Sequence, residues 1–486
     1  MDSKTVGYTE SWAATKTVLK RTARGLGAGM TPSERRYLLL TVDTGLINGA
    51  LLLALALFQD FDVSAVAILL NLKWFLTLTA VWFVAAMVLD VYDLARAAST
   101  VYSTISTAGA ALMATVGYQA IPWLTPRPER RIMVFALVGF AVASMTLWRA
   151  LYALLLVQPS FRRRVLVVGK GRTARRLANE LHAGAHSDRA NPFRGTGYEV
   201  VGFIEKLPAK EEESLDPSHA LVRLIRECQV DEILVAKELH PTFAEAILDC
   251  RELGLSVAPL MDAYTALTRR LPVEHAGRDL SFIMSARDNP SQRLYRGVKR
   301  IFDLAIALLG LATMLILVPF IALGNALTSP GPLFYHQQRV GRAGEPFRML
   351  KFRTMAPDAE DDGAVWAMDD DPRVTPVGHL LRLCRLDELP QCINVLRGEM
   401  SVIGPRPERP QFVGQITGWL PIYRARHAVR PGITGWAQIR YRYGNTLEDA
   451  CVKLEYDLYY IKNAGFWLDL VIFLQTLPVM LSFTGQ

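Results

Sequence analysis

Residues 304–328 read LAIALLGLATMLILVPFIALGNALT, and where this segment goes decides where the rest of the chain lies. As a straight helix it would extend about 37 Å at ~1.5 Å per residue, enough to cross the hydrocarbon core of a bilayer. A full crossing would carry everything after it to the far side. That remainder holds Cys384, Cys392 and Cys451, and fifteen arginines with one lysine between Tyr335 and Tyr443, a composition suited to phosphate ligands. Pro319 has no backbone N–H and its ring clashes with the preceding turn, so a bend there is physically natural. Lys299 and Arg300 precede the segment, and Arg339 and Arg342 follow it. The reading adopted is a re-entrant helix near 302–328, bent at Pro319, that enters the membrane and returns on the cytoplasmic side. A fifth ordinary span is the alternative.

Working toward the N-terminus, four apolar blocks fill roughly 38–58, 66–89, 101–124 and 132–157. Each is long enough to cross as a helix. Asp43, Lys73 and Arg149 interrupt three of them and are read as helix-to-helix partners or as snorkelling side chains. Basic residues crowd the arm before the first block and Arg162–Arg164 after the fourth, which puts both ends in the cytoplasm and agrees with an even number of crossings. Arg127, Arg130 and Arg131 then fall outside, against that rule. The first 36 residues are polar and basic, so no cleavable leader is expected. Five cysteines without metal-type spacing read as reduced thiols. The net charge of +8 suits anionic lipid or anionic substrates, and no nucleic-acid motif accompanies it.

Between these regions the character changes. VLVVGKGRTARRLANEL at 165–181 reads as strand, glycine turn and helix, while VVGFIEK at 200–206 and VDEILVAK at 230–237 are further strands. Amphipathic helices lie between them, a strand–helix alternation of Rossmann type. Gly169, Gly171 and Ala174 fit G-x-G-x-x-A, which could open a helix onto a pyrophosphate. No acidic residue stands at the expected distance, so a purely structural turn is the favoured reading.

The chemistry concentrates in LRLCRLDELPQCINVLRGEMSVIGPRP at 381–407. Asp387 and Glu388 are adjacent acids where one helix ends and another begins at Pro390. Arginine's planar fork grips two oxyanions at once, so the cations beside glycine, proline or the acids are the candidate phosphate ligands. They are Lys351, Arg353, Arg373, Arg382, Arg385, Arg406 and Arg430. Either acid could simply cap a helix that runs from Pro390 to Gly398. Capping accounts for one acid but does not require both to sit among arginines. The acidic run from Asp358 to Asp371 reads as a solvated loop.

Four stretches carry a resemblance: KRIFDLAIALLG at 299–310, SPGPLFYHQQRVGRAGEPFRMLKFRTM at 329–355, LDELPQCINVLRGEMSVIGPRP at 386–407 and RPGITGWAQI at 430–439. In order and spacing they resemble the bacterial sugar transferases, the polyprenyl-phosphate glycosyl-1-phosphate transferases. The detailed likeness covers about 295–486. The front resembles, in architecture only, the large members that start exopolysaccharide or O-antigen repeat units.

The resemblance implies a membrane enzyme that moves a sugar 1-phosphate from a UDP-sugar, of glucose or galactose type, onto undecaprenyl phosphate. It gives Asp387 the part of nucleophile and Glu388 that of its partner, linked with Asp387 to Mg²⁺. Pro319 takes the place of the helix-breaking proline, preceded here by Val318 where the family often has serine. The fold expected is a four-helix transmembrane bundle over 37–160 after an arm at 1–36. A Rossmann-like α/β domain over 161–290 follows, then a mixed α/β catalytic domain over 291–486 with the re-entrant helix. The expected partners are a UDP-sugar, undecaprenyl phosphate and the lipids of the bacterial inner membrane, with the catalytic domain facing the cytoplasm. Nucleic acid is not among them, and homo-oligomerisation is left open. Two alternatives compete: an NAD-dependent nucleotide-sugar enzyme, which lacks a complete glycine fingerprint here, and a non-catalytic scaffold for polysaccharide export.

Overall fold

The computed structural model describes residues 30–127, 131–156, 163–170, 174–177, 179, 198–205, 217–240, 243–273, 290–356, 359, 372–441 and 446–481. Helix α1 (Pro32–Phe58) opens on a capping box, in which Thr31 Oγ1 accepts from Glu34 N–H and the Glu34 carboxylate accepts from Thr31 N–H. Two amides that the first turn leaves without partners are thereby satisfied. Helices α2 (Leu72–Val88), α3 (Thr100–Gln119) and α4 (Arg131–Leu151) follow at the predicted apolar blocks. The four pack around Leu51, Trp82, Ala111, Leu137 and Met145.

Among the described residues, three helices are long and apolar enough to cross a membrane: α1, the stretch Arg131–Leu156 and Gln292–Thr328. The second predicted block is broken at Asn71, which leaves α2 at 17 residues, and α3 is diluted by serine, threonine and glycine. Asp43 and Arg149, singled out as interruptions, meet at 2.5 Å with both side chains fully buried. A charge at such depth is tolerated only with a partner. Lys73 stays exposed.

Next comes a parallel sheet of β1 (Arg163–Val168), β2 (Tyr198–Ile204), β3 (Glu232–Val235) and β4 (Ser256–Pro259), in the order β2-β1-β3-β4. Val165 and Val167 face one apolar cluster, Leu166 and Val168 the other. Helices α5 (Pro217–Cys228), α6 (Phe243–Glu252) and α7 (Leu260–Thr268) supply the cover that a parallel sheet needs on both faces. Gly169 has φ +146°, and a Cβ there would lie 2.4 Å from Cβ of Ala236, so close approach to the end of β3 requires this glycine. Gly171 and most of the acidic run 358–371 lie outside the described residues, as does the arm before residue 30.

Helix α8 (Pro290–Thr328) is continuous for 39 residues and runs through Pro319, so the segment 302–328, expected to enter and return, lies within one helix. Both its halves meet the same neighbour. Arg300 donates to Val395 O and Leu396 O, and Asp303 accepts from Val402 N. Further along, Gly310 adjoins Cys392 and Gly324 adjoins Val377. The opposite face leaves Ile301, Leu309, Ile316, Phe320 and Leu327 exposed.

That neighbour is built from the hairpin β5 (Phe334–Val340) and β6 (Pro346–Phe352), then α9 (Pro376–Leu383), α10 (Gln391–Arg397) and β7 (Ser401–Ile403). Helix α11 (Pro410–Trp419), β8 (Gly432–Thr434), α12 (Trp436–Arg440), α13 (Leu447–Asn463) and α14 (Phe466–Leu481) complete it, with β7 and β8 parallel. It is tied to the preceding regions by buried polar contacts. Arg440 meets Asp90 at 2.6 Å, Gln475 donates to Asp90 at 3.0 Å, and Leu271 N donates to Glu455 O at 3.0 Å.

Candidate active site

Helix α9 begins at Pro376 under a Thr375 cap and ends at Leu383, with Cys384 as its C-cap. Arg385 then takes φ +53°, ψ +22°, the left-handed region that a side chain disfavours. This reversal launches a single 3₁₀ turn, Leu386–Glu388, which holds both acids. Pro390 leads into α10, and Gly398 at φ +82° closes it, as the sequence signals predict. The N-cap residue of α10 is Pro390 and makes no side-chain cap bond. The acids instead face cations.

Lys351 arrives on β6. Its Nζ lies 3.0 Å from Glu388 Oε1 and 3.6 Å from Asp387 Oδ2. Arg406 Nη2 also donates to Glu388 Oε1, at 3.0 Å. The strand that carries Lys351 is fastened to α10 by Asn394, which is fully buried. Its Oδ1 accepts from Leu350 N at 3.0 Å while its Nδ2 donates to Arg348 O at 2.8 Å.

The two acids are 13% and 12% exposed, and their environments push them apart. Burial raises the Asp387 pKa, Lys351 opposes the rise, and the neighbouring Glu388 charge adds to it. Burial also works against the Glu388 carboxylate, yet Lys351 and Arg406 outweigh it and hold that pKa well below the usual range. Glu388 is therefore the settled anion and Asp387 the acid whose charge is less satisfied.

The other predicted cations divide. Arg382 Nε donates to Thr354 Oγ1 at 3.0 Å and its charge is felt at Asp387. Arg385 Nε is buried without a hydrogen-bond partner among the described residues. Arg353 turns away, donating to Pro332 O at 2.7 Å and to Ser329, so it fastens the end of α8 to β6. Arg373 donates to Ala359 O at 2.9 Å. Arg430 lies at the far end of α10, where a Cβ on Gly398 would be 3.9 Å from its Nη2 and 3.7 Å from that of Arg300. Arg406 also lines a cleft with Gly341, Pro407, Glu408, Arg426 and His427. Sequence reasoning passed over Asn394 and Arg426, since nothing local distinguishes a polar residue that will be buried against distant backbone.

Among the described residues no group of three or more His, Cys, Asp or Glu could hold a metal. Asp387 and Glu388 alone offer two hard carboxylates, an incomplete shell unless a ligand contributes oxygens.

Residues 294–483 match the family described as Bacterial sugar transferase. The chain is 42% identical over 219 residues to the UDP-N-acetylgalactosamine-undecaprenyl-phosphate N-acetylgalactosaminephosphotransferase of Aeromonas hydrophila, covering 45% of this chain and 51% of that one. To the UDP-glucose:undecaprenyl-phosphate glucose-1-phosphate transferase of Escherichia coli (strain K12) it is 43% identical over 187 residues, 38% of this chain and 40% of that one. To the enzyme of the same name in Xanthomonas campestris pv. campestris it is 31% identical over 351 residues, 69% of this chain and 70% of that one. The chain thus spans about half or less of the Aeromonas and Escherichia relatives.

Proposed function

Because the chain belongs to the bacterial sugar transferase family, we propose that it transfers a sugar 1-phosphate from a UDP-sugar to undecaprenyl phosphate. The observation that carries this reading is the turn Leu386–Glu388, where two adjacent acids meet Lys351 and Arg406. An oxygen of the ionised Asp387 carboxylate attacks the β-phosphorus of the donor. The bond from that phosphorus to the bridging oxygen breaks, and UMP leaves with the electron pair. A phosphate oxygen of the lipid acceptor then attacks the same phosphorus. The sugar phosphate passes to the lipid and the Asp387 carboxylate is restored.

Lys351 and Arg406 hold Glu388 ionised and supply positive charge where the diphosphate must approach. Arg382 and Arg385 add cationic donors beside the acids. Mg²⁺ fits the donor set, since it is commonly bound by one or two carboxylates and completed by substrate phosphates. Asp387 and Glu388 would hold it, and bound there it would offset the repulsion between carboxylate and diphosphate.

The membrane placement belongs to the same proposal. Both halves of α8 touch one α/β unit while the opposite face stays apolar, which supports a helix set into the near leaflet with its two ends on the cytoplasmic side. We read 37–160 as a four-helix transmembrane domain, 161–290 as a Rossmann-like domain and 291–486 as the catalytic domain of an inner-membrane enzyme. The product would start an exopolysaccharide or O-antigen repeat unit.

The test is transfer of radiolabelled sugar phosphate from a panel of UDP-sugars to undecaprenyl phosphate, with UMP measured in parallel. Donors of glucose and galactose type, with and without the N-acetyl group, decide the sugar. An intact membrane-reconstituted protein that uses none of them overturns the proposal.

A further inference from the structure

Arg406 reaches Glu388 from a loop that is gripped from behind. Arg426 Nη2 donates to Arg406 O at 2.9 Å and to Asp457 Oδ2 at 2.8 Å. Its Nη1 donates to the Tyr423 hydroxyl, and its guanidinium carbon lies 4.8 Å from the centroid of that ring. The side chains of Arg426 and Asp457 are 6% and 2% exposed. Two neighbouring carbonyls of the loop are captured as well: Arg339 Nη1 donates to Pro407 O at 3.0 Å, and Val340 N to Glu408 O at 3.0 Å. Gly432 N donates to Pro405 O at 2.9 Å from the other side.

A buried ion pair is a poor source of stability, because desolvating two charges offsets most of their attraction. An apolar pair of similar volume would fill the same space. It could not donate to the Arg406 carbonyl. The carbonyl and side chain of Arg406 share one Cα, so fixing the first limits where the second can point.

We propose that Arg426, held by Asp457, is a positioning residue for the transfer: its bond to the Arg406 carbonyl sets the guanidinium of Arg406 on Glu388. The inference rests on the reading of Asp387 and Glu388 as the reacting pair. Geometry of this kind acts on the chemical step rather than on donor capture, since a small misplacement of a group beside reacting atoms costs rate steeply.

The experiment uses the full chain in lipid nanodiscs and measures kcat and KM for the UDP-sugar that the wild type accepts. Arg426→Met with Asp457→Leu removes both charges together, so no lone charge is left buried. That variant should lower kcat by about 10- to 100-fold, with KM for the UDP-sugar little changed. In an Arg406→Ala background, whose backbone carbonyl is intact, the same pair of changes should cost less than about twofold, because the side chain being positioned is already gone. Arg426→Lys covers the case in which the double variant does not fold. It keeps the charge on Asp457 but lacks the fork that reaches Arg406 O, and should also lose kcat. Full kcat in a folded variant, or losses that multiply with Arg406→Ala, overturns the inference while leaving the proposed reaction intact. A wild type inactive with every donor overturns both.

Discussion

Asn394 Oδ1 accepts the backbone N–H of Leu350 at 3.0 Å, a bond across 44 residues that sets β6 against α10. Lys351 follows Leu350 in the strand, so this bond, together with the hairpin register of Tyr335 against Lys351, holds a cation toward Asp387 and Glu388. Asn394→Ala should strand the Leu350 N–H and the Arg348 carbonyl in the core and lower stability by about 1–3 kcal/mol. Denaturant unfolding in detergent checks the loss, and activity should fall further than the folded fraction does.

Asp387→Asn retains shape and hydrogen-bonding reach but removes the attacking anion. Sugar-phosphate transfer and UMP release should both fall by about 10³-fold or more, with the unfolding transition kept. Glu388→Gln should be severely impaired with an altered response to Mg²⁺ concentration. Near-normal turnover by the first variant would remove Asp387 from the nucleophile's role.

His427 offers a test by pH. Burial, then the charges of Arg426 and Arg424, lowers its pKa to about 4 from the ordinary 6.5. The unfolded chain therefore takes up a proton between those values while the folded protein does not. The His427 contribution to stability is complete above pH 6.5 and declines as pH falls toward 4. Relative to His427→Gln, the wild type should lose thermal stability progressively across that window. Parallel curves for the two proteins would contradict the assignment.

Two glycines separate steric need from backbone freedom. A Cβ on Gly432 would meet Gly404 N at 2.1 Å and Thr434 O at 2.5 Å, whereas Gly344 has φ +85° with nothing within 4 Å. Gly432→Ala should disrupt the β7–β8 pairing and abolish transfer. Gly344→Ala should cost only about 1–2 kcal/mol, the strain of a left-handed side chain, and stay active. Equal effects would show that the close approach at Gly432 is not required.

The placement of α8 can be tested by access. Cysteines introduced at Val298 and Arg342, on either side of the apolar stretch, should both resist membrane-impermeant thiol reagents in intact cells. Labelling at 342 from outside would establish a full crossing.

Much of the site was legible because its decisive parts are local. Asp387 and Glu388 are adjacent, and Pro390 and Gly398 mark the ends of α10 by rules of backbone geometry alone. Direction is what sequence withholds. Arg353 and Arg406 look equivalent as cations beside turns, yet one grips Pro332 and Ser329 while the other meets Glu388. Arg426 and Asp457 find each other across 31 residues, which no periodicity announces. Strand β4 has only four residues with no alternation to detect, and its neighbour β3 decides its existence.

Asp303 accepts from Ser401 and Val402, 98 and 99 residues later in the chain, and Lys299 waits for Asp469, 170 residues on. At ribosomal speeds of about 5–20 residues per second, α8 emerges roughly 5–20 s before the first of these partners exists. Throughout that interval Lys299, one turn back, offsets part of the Asp303 charge, but the donors from Ser401 and Val402 are missing, and a carboxylate short of its donors is costly at bilayer depth. The expected outcome is that the helix rests at the lipid surface during synthesis and seats itself only once Ser401 and Val402 have been made. A ribosome-stalled chain ending before Ser401 would report this directly: a cysteine at Ile316 should react with a membrane-impermeant thiol reagent added from the cytoplasmic side, and the same cysteine in the full chain should not.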